Sequence, residues 1–97
     1  MNATPDQNSV ILYWRPGCGF CASLAAGLRR EGIPFEPVNI WENPDAAAFV
    51  RSVASGNEIV PTIRVGGTAL VNPSAQQVLQ AAVAEMPDFL DRQRAEG

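Results

Sequence analysis

The sequence contains no histidine, no lysine and only two cysteines. Without histidine it lacks the commonest metal ligand, the usual general base and the side chain that changes charge near neutral pH. One cysteine pair with no histidine cannot supply the four ligands of a structural zinc site in a single chain, so no metal ligands are assigned. No apolar run approaches the roughly 20 residues of a membrane-spanning helix. Nor is there a basic excess: the net charge is -3, whereas domains that bind nucleic acid carry a basic face. Met1 to Ser9 has no basic start followed by an apolar block, so it is predicted to be a short loose arm rather than a secretion signal. A cytoplasmic location is the corresponding expectation, and the cytosol is reducing.

What remains is one domain's worth of chain. Its 97 residues are 46% hydrophobic and 18% charged, enough for a modest core. The predicted division is an arm over 1–8, a domain over 9–86, and a tail or short extra helix over 87–97 with Phe89 and Leu90 as its anchors.

Ser9 to Trp14 is bulky, β-branched and aromatic, the pattern of a buried strand. Arg15-Pro16-Gly17 breaks it. From Gly19 to Glu31 the period becomes helical, with Cys21, Leu24, Ala25 and Leu28 on one face, and Gly32 is a natural stop. Phe35, Val38 and Ile40 mark a second short strand, where Pro34 and Pro37 require an unpaired edge. Asn43-Pro44 starts a helix running to about Ala54 with Phe49, Val50 and Val53 inward. Gly56 ends that helix. Pro61 to Val65, Gly66-Gly67 and Thr68 to Val71 form a hairpin. Asn72-Pro73 then opens a third helix, with Ser74 and Gln77 as a capping box. Val78, Leu79, Ala82, Val83 and Met86 form its apolar stripe. The order β-α-β-α-β-β-α predicts an α/β fold in which the first two strands are parallel. The hairpin completes a four-stranded mixed sheet with helices on both faces.

The chemistry is carried by Cys18-Gly19-Phe20-Cys21. The pair stands where a strand ends and a helix begins. Free N–H groups and the helix dipole place about half a positive charge there. A thiolate at that point is stabilised, so Cys18 should ionise below the ordinary thiol value of about 8.5. Cys18, outside the first turn, is the predicted nucleophile. Cys21, one turn in, is placed to attack a mixed disulfide formed on Cys18. Arg15 can add positive charge nearby. A structural disulfide is the weaker reading, because closing so short a loop stabilises by only about 2 kcal/mol. Inert core thiols do not explain the position before a helix start.

The chain resembles glutaredoxins of the thioredoxin-like superfamily, most closely the actinobacterial mycoredoxins. Four features carry the likeness: Arg15 to Cys21 after a strand, Ile59-Val60-Pro61-Thr62 before the hairpin, Gly66-Gly67 at its turn, and Val71-Asn72-Pro73-Ser74-Ala75. The resemblance implies a thiol–disulfide oxidoreductase, cytoplasmic and monomeric, with no tightly bound cofactor and a low-molecular-weight thiol as co-substrate. It implies a cis Val60–Pro61 bond that aims the Val60 backbone at the site, where an extended substrate can pair with it. Asn72, Pro73 and Ser74 would line the pocket beside the thiol, with Gly19 and the exposed Phe20 touching substrate. Trp14 and Trp41 are assigned to packing. No Asp or Glu occurs from Gly66 to Val83. A neutral segment suits mycothiol, an N-acetylcysteine joined to an amino-sugar and inositol, better than the charged ends of glutathione. The partners implied are mycothiol and proteins in mixed or internal disulfides.

Two departures stand out. Arg15 replaces the lysine of many glutaredoxins, and Gly19 replaces the proline of their commonest motif. Three other readings are compatible with parts of the sequence. The first is a dithiol donor of the ribonucleotide reductase partner type, reduced by thioredoxin reductase, which usually carries C-x-Q-C. The second is a dimeric iron–sulfur carrier, because Cys18-Gly19-Phe20 opens a C-G-F-S motif that Cys21 breaks. The third is a redox-inactive binding module, which the intact cysteine pair opposes.

Overall fold

The computed structural model describes residues 10–85; the arm over 1–8, Ser9, Met86 and the tail over 87–97 lie outside them. The strands are β1 (Val10–Trp14), β2 (Glu36–Asn39), β3 (Thr62–Val65) and β4 (Thr68–Val71). They lie in the order β2-β1-β3-β4. The helices are α1 (Gly19–Arg30), α2 (Pro44–Val53) and α3 (Ala75–Glu85). β1 and β2 are parallel, and β1–β3 and β3–β4 are antiparallel. Pro37 is tolerated because β2 is an edge strand.

β1 is central and buried on both faces, so both sets of its alternating side chains are apolar. Val10 and Leu12 pack with Leu24, Ala25 and Leu28 of α1 and with Val78 and Ala82 of α3. Ile11 and Tyr13 pack on the other face with Ile40 and with Ala46, Ala47 and Val50 of α2. Leu28, Ile63 and Val50 are completely enclosed, and burying each contributes about 1.5–3 kcal/mol. With β1 clamped from both sides, its C-terminal end is a fixed platform for the turn that follows.

The helix ends follow local chemistry. α1 stops at Gly32, whose φ of 72° lets Gly32 N–H reach the Arg29 carbonyl and Ile33 N–H the Leu28 carbonyl, at 3.1 and 2.9 Å. Asn43 caps α2 by accepting from Ala46 N–H at 3.0 Å. α3 begins later than Asn72-Pro73 suggests. A residue before proline is excluded from helical backbone, and Asn72 sits at φ 52° with its N–H donated to the Pro61 carbonyl at 2.8 Å. Ser74 and Gln77 form the reciprocal capping box, at 2.9 and 3.1 Å.

Three packing expectations need correction. Val83 is 52% exposed, because Val78 and Ala82 form the seam and Val83 lies a 100° helical step beyond it. Val53 is half-buried, and Ala54 behind it takes the inward position. Trp41 is 63% exposed. It follows the end of β2, in a turn where its N–H is held by Asn39 Oδ1 at 2.9 Å, and no layer reaches over it.

Candidate active site

Cys18 is the N-cap of α1, with extended backbone at φ -92° and ψ 100°. Its Sγ accepts a hydrogen bond from Cys21 N–H at 3.1 Å, the place a serine oxygen takes in an ordinary cap. Cys18 and Cys21 are joined in a disulfide, their Cα atoms 5.2 Å apart. Cys18 is half-buried and Cys21 only 4% exposed, so a substrate meets Cys18 first. In the reduced protein the Cys21 N–H and the positive end of α1 favour a Cys18 thiolate over its thiol. The first turn of α1 carries no acidic side chain to oppose this.

The Val60–Pro61 bond is cis. The Val60 carbonyl oxygen lies 3.9 Å from Cys18 Sγ; a disulfide sulfur has no proton, so this is a contact and not a hydrogen bond. Thr62 Oγ1 donates to the Ile59 carbonyl at 2.8 Å, which ties down the segment before β3.

α1 separates the predicted residues into two groups. On the flank toward β2, Arg15, Gly19, Cys18 and Cys21 line a groove of about 630 Å³. On the flank toward α3, Phe20, Pro61, Asn72, Pro73 and Ser74 line a cleft of about 260 Å³. Cys18 does not line that cleft, and it communicates with it through Val60–Pro61 and Phe20. Phe20 is 77% exposed, as the sequence suggests. Arg15 donates to the Pro16 carbonyl at 3.3 Å, and its guanidinium lies 5.9 Å from the centre of the Trp41 ring.

Several lining residues are not singled out by the sequence. Trp14, Arg29, Phe35 and Pro37 join the first groove, and Ser23, Gly27 and Arg30 join the second. Arg29 and Arg30 are neighbours in sequence yet face opposite flanks, because consecutive helix residues point about 100° apart. Among the described residues no Asp or Glu lines either depression. Among the described residues no three of His, Cys, Asp and Glu converge on one point, and no helix is long and apolar enough to cross a membrane.

The glutaredoxin family profile matches residues 10–70. The chain belongs to the glutaredoxin family. Mycoredoxin 1 of Corynebacterium glutamicum is 36% identical over 74 residues, covering 75% of this chain and 91% of the relative. A protein of Mycobacterium tuberculosis strain H37Rv, whose name assigns it provisionally to the glutaredoxins, is 39% identical over 71 residues, covering 72% of this chain and 84% of its own. Among solved structures, glutaredoxin grx-1 of Archaeoglobus fulgidus superposes with a TM-score of 0.63 at 24% identity, covering 76% of this chain and 85% of that one; this likeness speaks for the fold. As a glutaredoxin the chain is a thiol–disulfide oxidoreductase, and its similarity to mycoredoxin places it near that branch of the family.

Proposed function

We propose that this glutaredoxin reduces mixed disulfides between proteins and mycothiol, with Cys18 as nucleophile and Cys21 as the resolving thiol for protein disulfides. The Cys18 thiolate attacks the mycothiol sulfur, and the protein thiolate leaves and takes up a proton. A second mycothiol thiolate then attacks the Cys18-bound mycothiol. Mycothiol disulfide departs and the Cys18 thiolate is restored. The net reaction turns one free mycothiol and the mixed disulfide into the protein thiol and mycothiol disulfide, so the protein sulfur is reduced and the free mycothiol sulfur is oxidised. No tightly bound cofactor enters this cycle.

The observation that carries the reading is the cleft between α1 and α3. Among the described residues it contains no carboxylate and one charged side chain, Arg30, and Asn72, Pro73 and Ser74 present a neutral hydrogen-bonding wall beside the exposed Phe20. That surface suits a sugar-bearing thiol with no charge of its own. Pro61 forms its floor next to Val60, whose backbone lies against Cys18. Arg15 and Gly19 border the sulfur from the opposite side. The similarity to mycoredoxin supports the same choice.

The test is NADPH consumption with a model mixed disulfide, coupled in parallel to mycothiol with its reductase, to glutathione with its reductase, and to thioredoxin reductase alone. Turnover confined to the mycothiol system is expected. Cys18→Ser abolishes it, whereas Cys21→Ser retains activity on mycothiol adducts and loses it on protein disulfides. A Cys21→Ser protein inactive on mycothiol adducts refutes the monothiol route. Turnover with thioredoxin reductase alone refutes mycothiol as the reductant.

A further inference from the structure

The thiol exchange above uses only the sulfur end of the groove between α1 and β2, where Cys18 and Cys21 line it; the stretch beyond them toward Arg29 and Phe35 has no part in it. Its walls are apolar: Leu12 and Trp14 of β1, Phe35 and Pro37 of the β2 edge. Among the described residues its only full charges are two guanidiniums, Arg15 at the sulfur end and Arg29 at the far end. Both are braced on aromatic rings, Arg15 against Trp41 at 5.9 Å and Arg29 against Phe35 at 5.3 Å. Neither has a carboxylate within salt-bridge distance among the described residues, where Arg51–Glu58 is the one ion pair. In a chain of net charge -3, two cations at the ends of an apolar trough are a local reversal of sign.

We infer that this groove receives an acidic segment of the protein whose disulfide is being reduced. An apolar trough buries the segment's side chains, and the braced guanidiniums select carboxylates, which arginine binds through paired N–H groups. The spacing makes the inference specific. Cys18 to Arg29 spans eleven helical steps, about 16 Å at 1.5 Å per residue. An extended peptide covers that distance in about five residues. The preferred substrate therefore carries an acidic residue about five positions from its reactive cysteine, with apolar residues between. This inference rests on the oxidoreductase activity alone and is independent of which small thiol recharges the enzyme.

The experiment is a single-turnover reaction that needs no mycothiol. The reduced protein is mixed with synthetic peptides whose cysteine is in a disulfide with 2-mercaptoethanol. The Cys18 thiolate attacks the peptide sulfur and mercaptoethanol leaves. The Cys21 thiolate then attacks Cys18, so that the peptide thiol is released and the enzyme holds the Cys18–Cys21 disulfide. Three peptides differ only five positions from the cysteine, where they carry Glu, Gln or Lys. One exposed charge pair of modest strength, between the Glu and Arg29, gives a Glu-over-Gln rate ratio of about three- to fivefold at low salt, falling at high salt. Arg29→Gln lowers that ratio to about twofold or less and leaves the Gln peptide's rate unchanged. Arg29→Glu makes the Lys peptide the fastest, and Arg29→Lys retains part of the Glu preference. Arg29 is exposed on the last turn of α1, so these variants fold. Arg30→Gln, on the α3 flank, leaves the ratio intact. A wild-type ratio below twofold, or one that survives Arg29→Glu, overturns the inference. So does a preference removed by Arg30→Gln and not by Arg29→Gln, because the acidic segment then runs in the other cleft. Failure of mycothiol turnover leaves every arm of this experiment readable.

Discussion

Gly27 is the point at which the catalytic helix touches the helix that carries the proposed thiol-binding segment. A Cβ built on Gly27 would stand 2.9 Å from Ala75 Cβ. Carbon atoms in ordinary contact are about 3.5–4.0 Å apart, so Gly27→Ala forces the start of α3 away from α1 by about 1 Å. Overpacking of this kind costs about 1–3 kcal/mol. Replacing glycine by alanine inside a helix returns about 1 kcal/mol. The expected net loss is about 1 kcal/mol, a fall in Tm of about 4–8 °C for a domain of this size.

A double-mutant cycle removes the propensity contribution. Gly27→Ala, Ala75→Gly and the double variant are unfolded in urea and followed by circular dichroism. The double variant should be more stable than the sum of the single changes by at least about 1 kcal/mol, because Ala75→Gly deletes the atom that the new methyl strikes. Ala75 adjoins Ser74, Pro73 and Asn72, so Gly27→Ala should also raise KM for the small thiol about threefold. The alkylation rate of Cys18, about two and a half turns away at the N-cap of α1, should not change. A coupling below about 0.5 kcal/mol, or an unchanged KM alongside a real loss of stability, refutes the claim that Gly27 sets the position of α3 at the site.

Three further expectations follow from the same geometry. Iodoacetamide should modify reduced Cys18 along a pH profile whose midpoint lies below the ordinary thiol value of about 8.5, with Cys21 protected at all pH values where the fold persists; a midpoint at or above 8.5 contradicts the helix-cap argument. Ser74→Ala should cost about 1 kcal/mol in urea unfolding through loss of the cap, and it should weaken binding of the small thiol, whereas an equal loss of stability with unchanged KM limits Ser74 to capping. Burial pushes the Tyr13 phenol above its ordinary value of 10.0, an effect that Arg64 partly offsets and Glu36 reinforces. The folded state therefore prefers the neutral phenol, and the unfolded chain ionises first as pH rises past about 10. Wild-type stability should fall across that interval more steeply than that of Tyr13→Phe, and equal slopes refute the assignment.

The fold was legible because its local signals agree. The alternation of apolar residues in β1, the helical period of Cys21, Leu24, Ala25 and Leu28, the Asn43 cap and the Gly66-Gly67 turn all specify one element order. The cysteines were legible because a strand-to-helix junction is visible in the chain itself. What the sequence conceals is set by distance across the fold. Trp41 has the composition of a packing residue, but its exposure depends on where β2 ends relative to the layers. Arg29, Arg30 and Phe35 carry no motif; they gain meaning only when β2 lies beside β1 and α1 covers that face. Gly27 looks like a weak point in a helix until Ala75 is found against it.

The division of surface by α1 has a consequence for how a mixed disulfide is held. The two carbon substituents of a disulfide leave their sulfurs at a dihedral angle near 90°, so the halves of a protein–thiol disulfide point in different directions. An enzyme with a single groove could seat one half only. Here Cys18 stands at the end of a helix with a largely neutral cleft, lined by Asn72 and Ser74 with Arg30 as its one charge among the described residues, on one flank and an apolar groove with two arginines on the other. If the small thiol occupies the cleft, attack on its sulfur leaves the protein half directed toward the groove, where Arg15 and Arg29 favour an acidic segment. The protein thiolate is the leaving group in that step, and Arg15 lies at the sulfur end of the groove, where positive charge stabilises a departing anion. The two flanks then act on different partners of the same bond. Arg29→Gln should therefore lower the rate with an acidic mycothiolated peptide and leave KM for free mycothiol unchanged. Ser74→Ala should do the reverse. If both variants shift the same constant, the halves are not held on separate flanks.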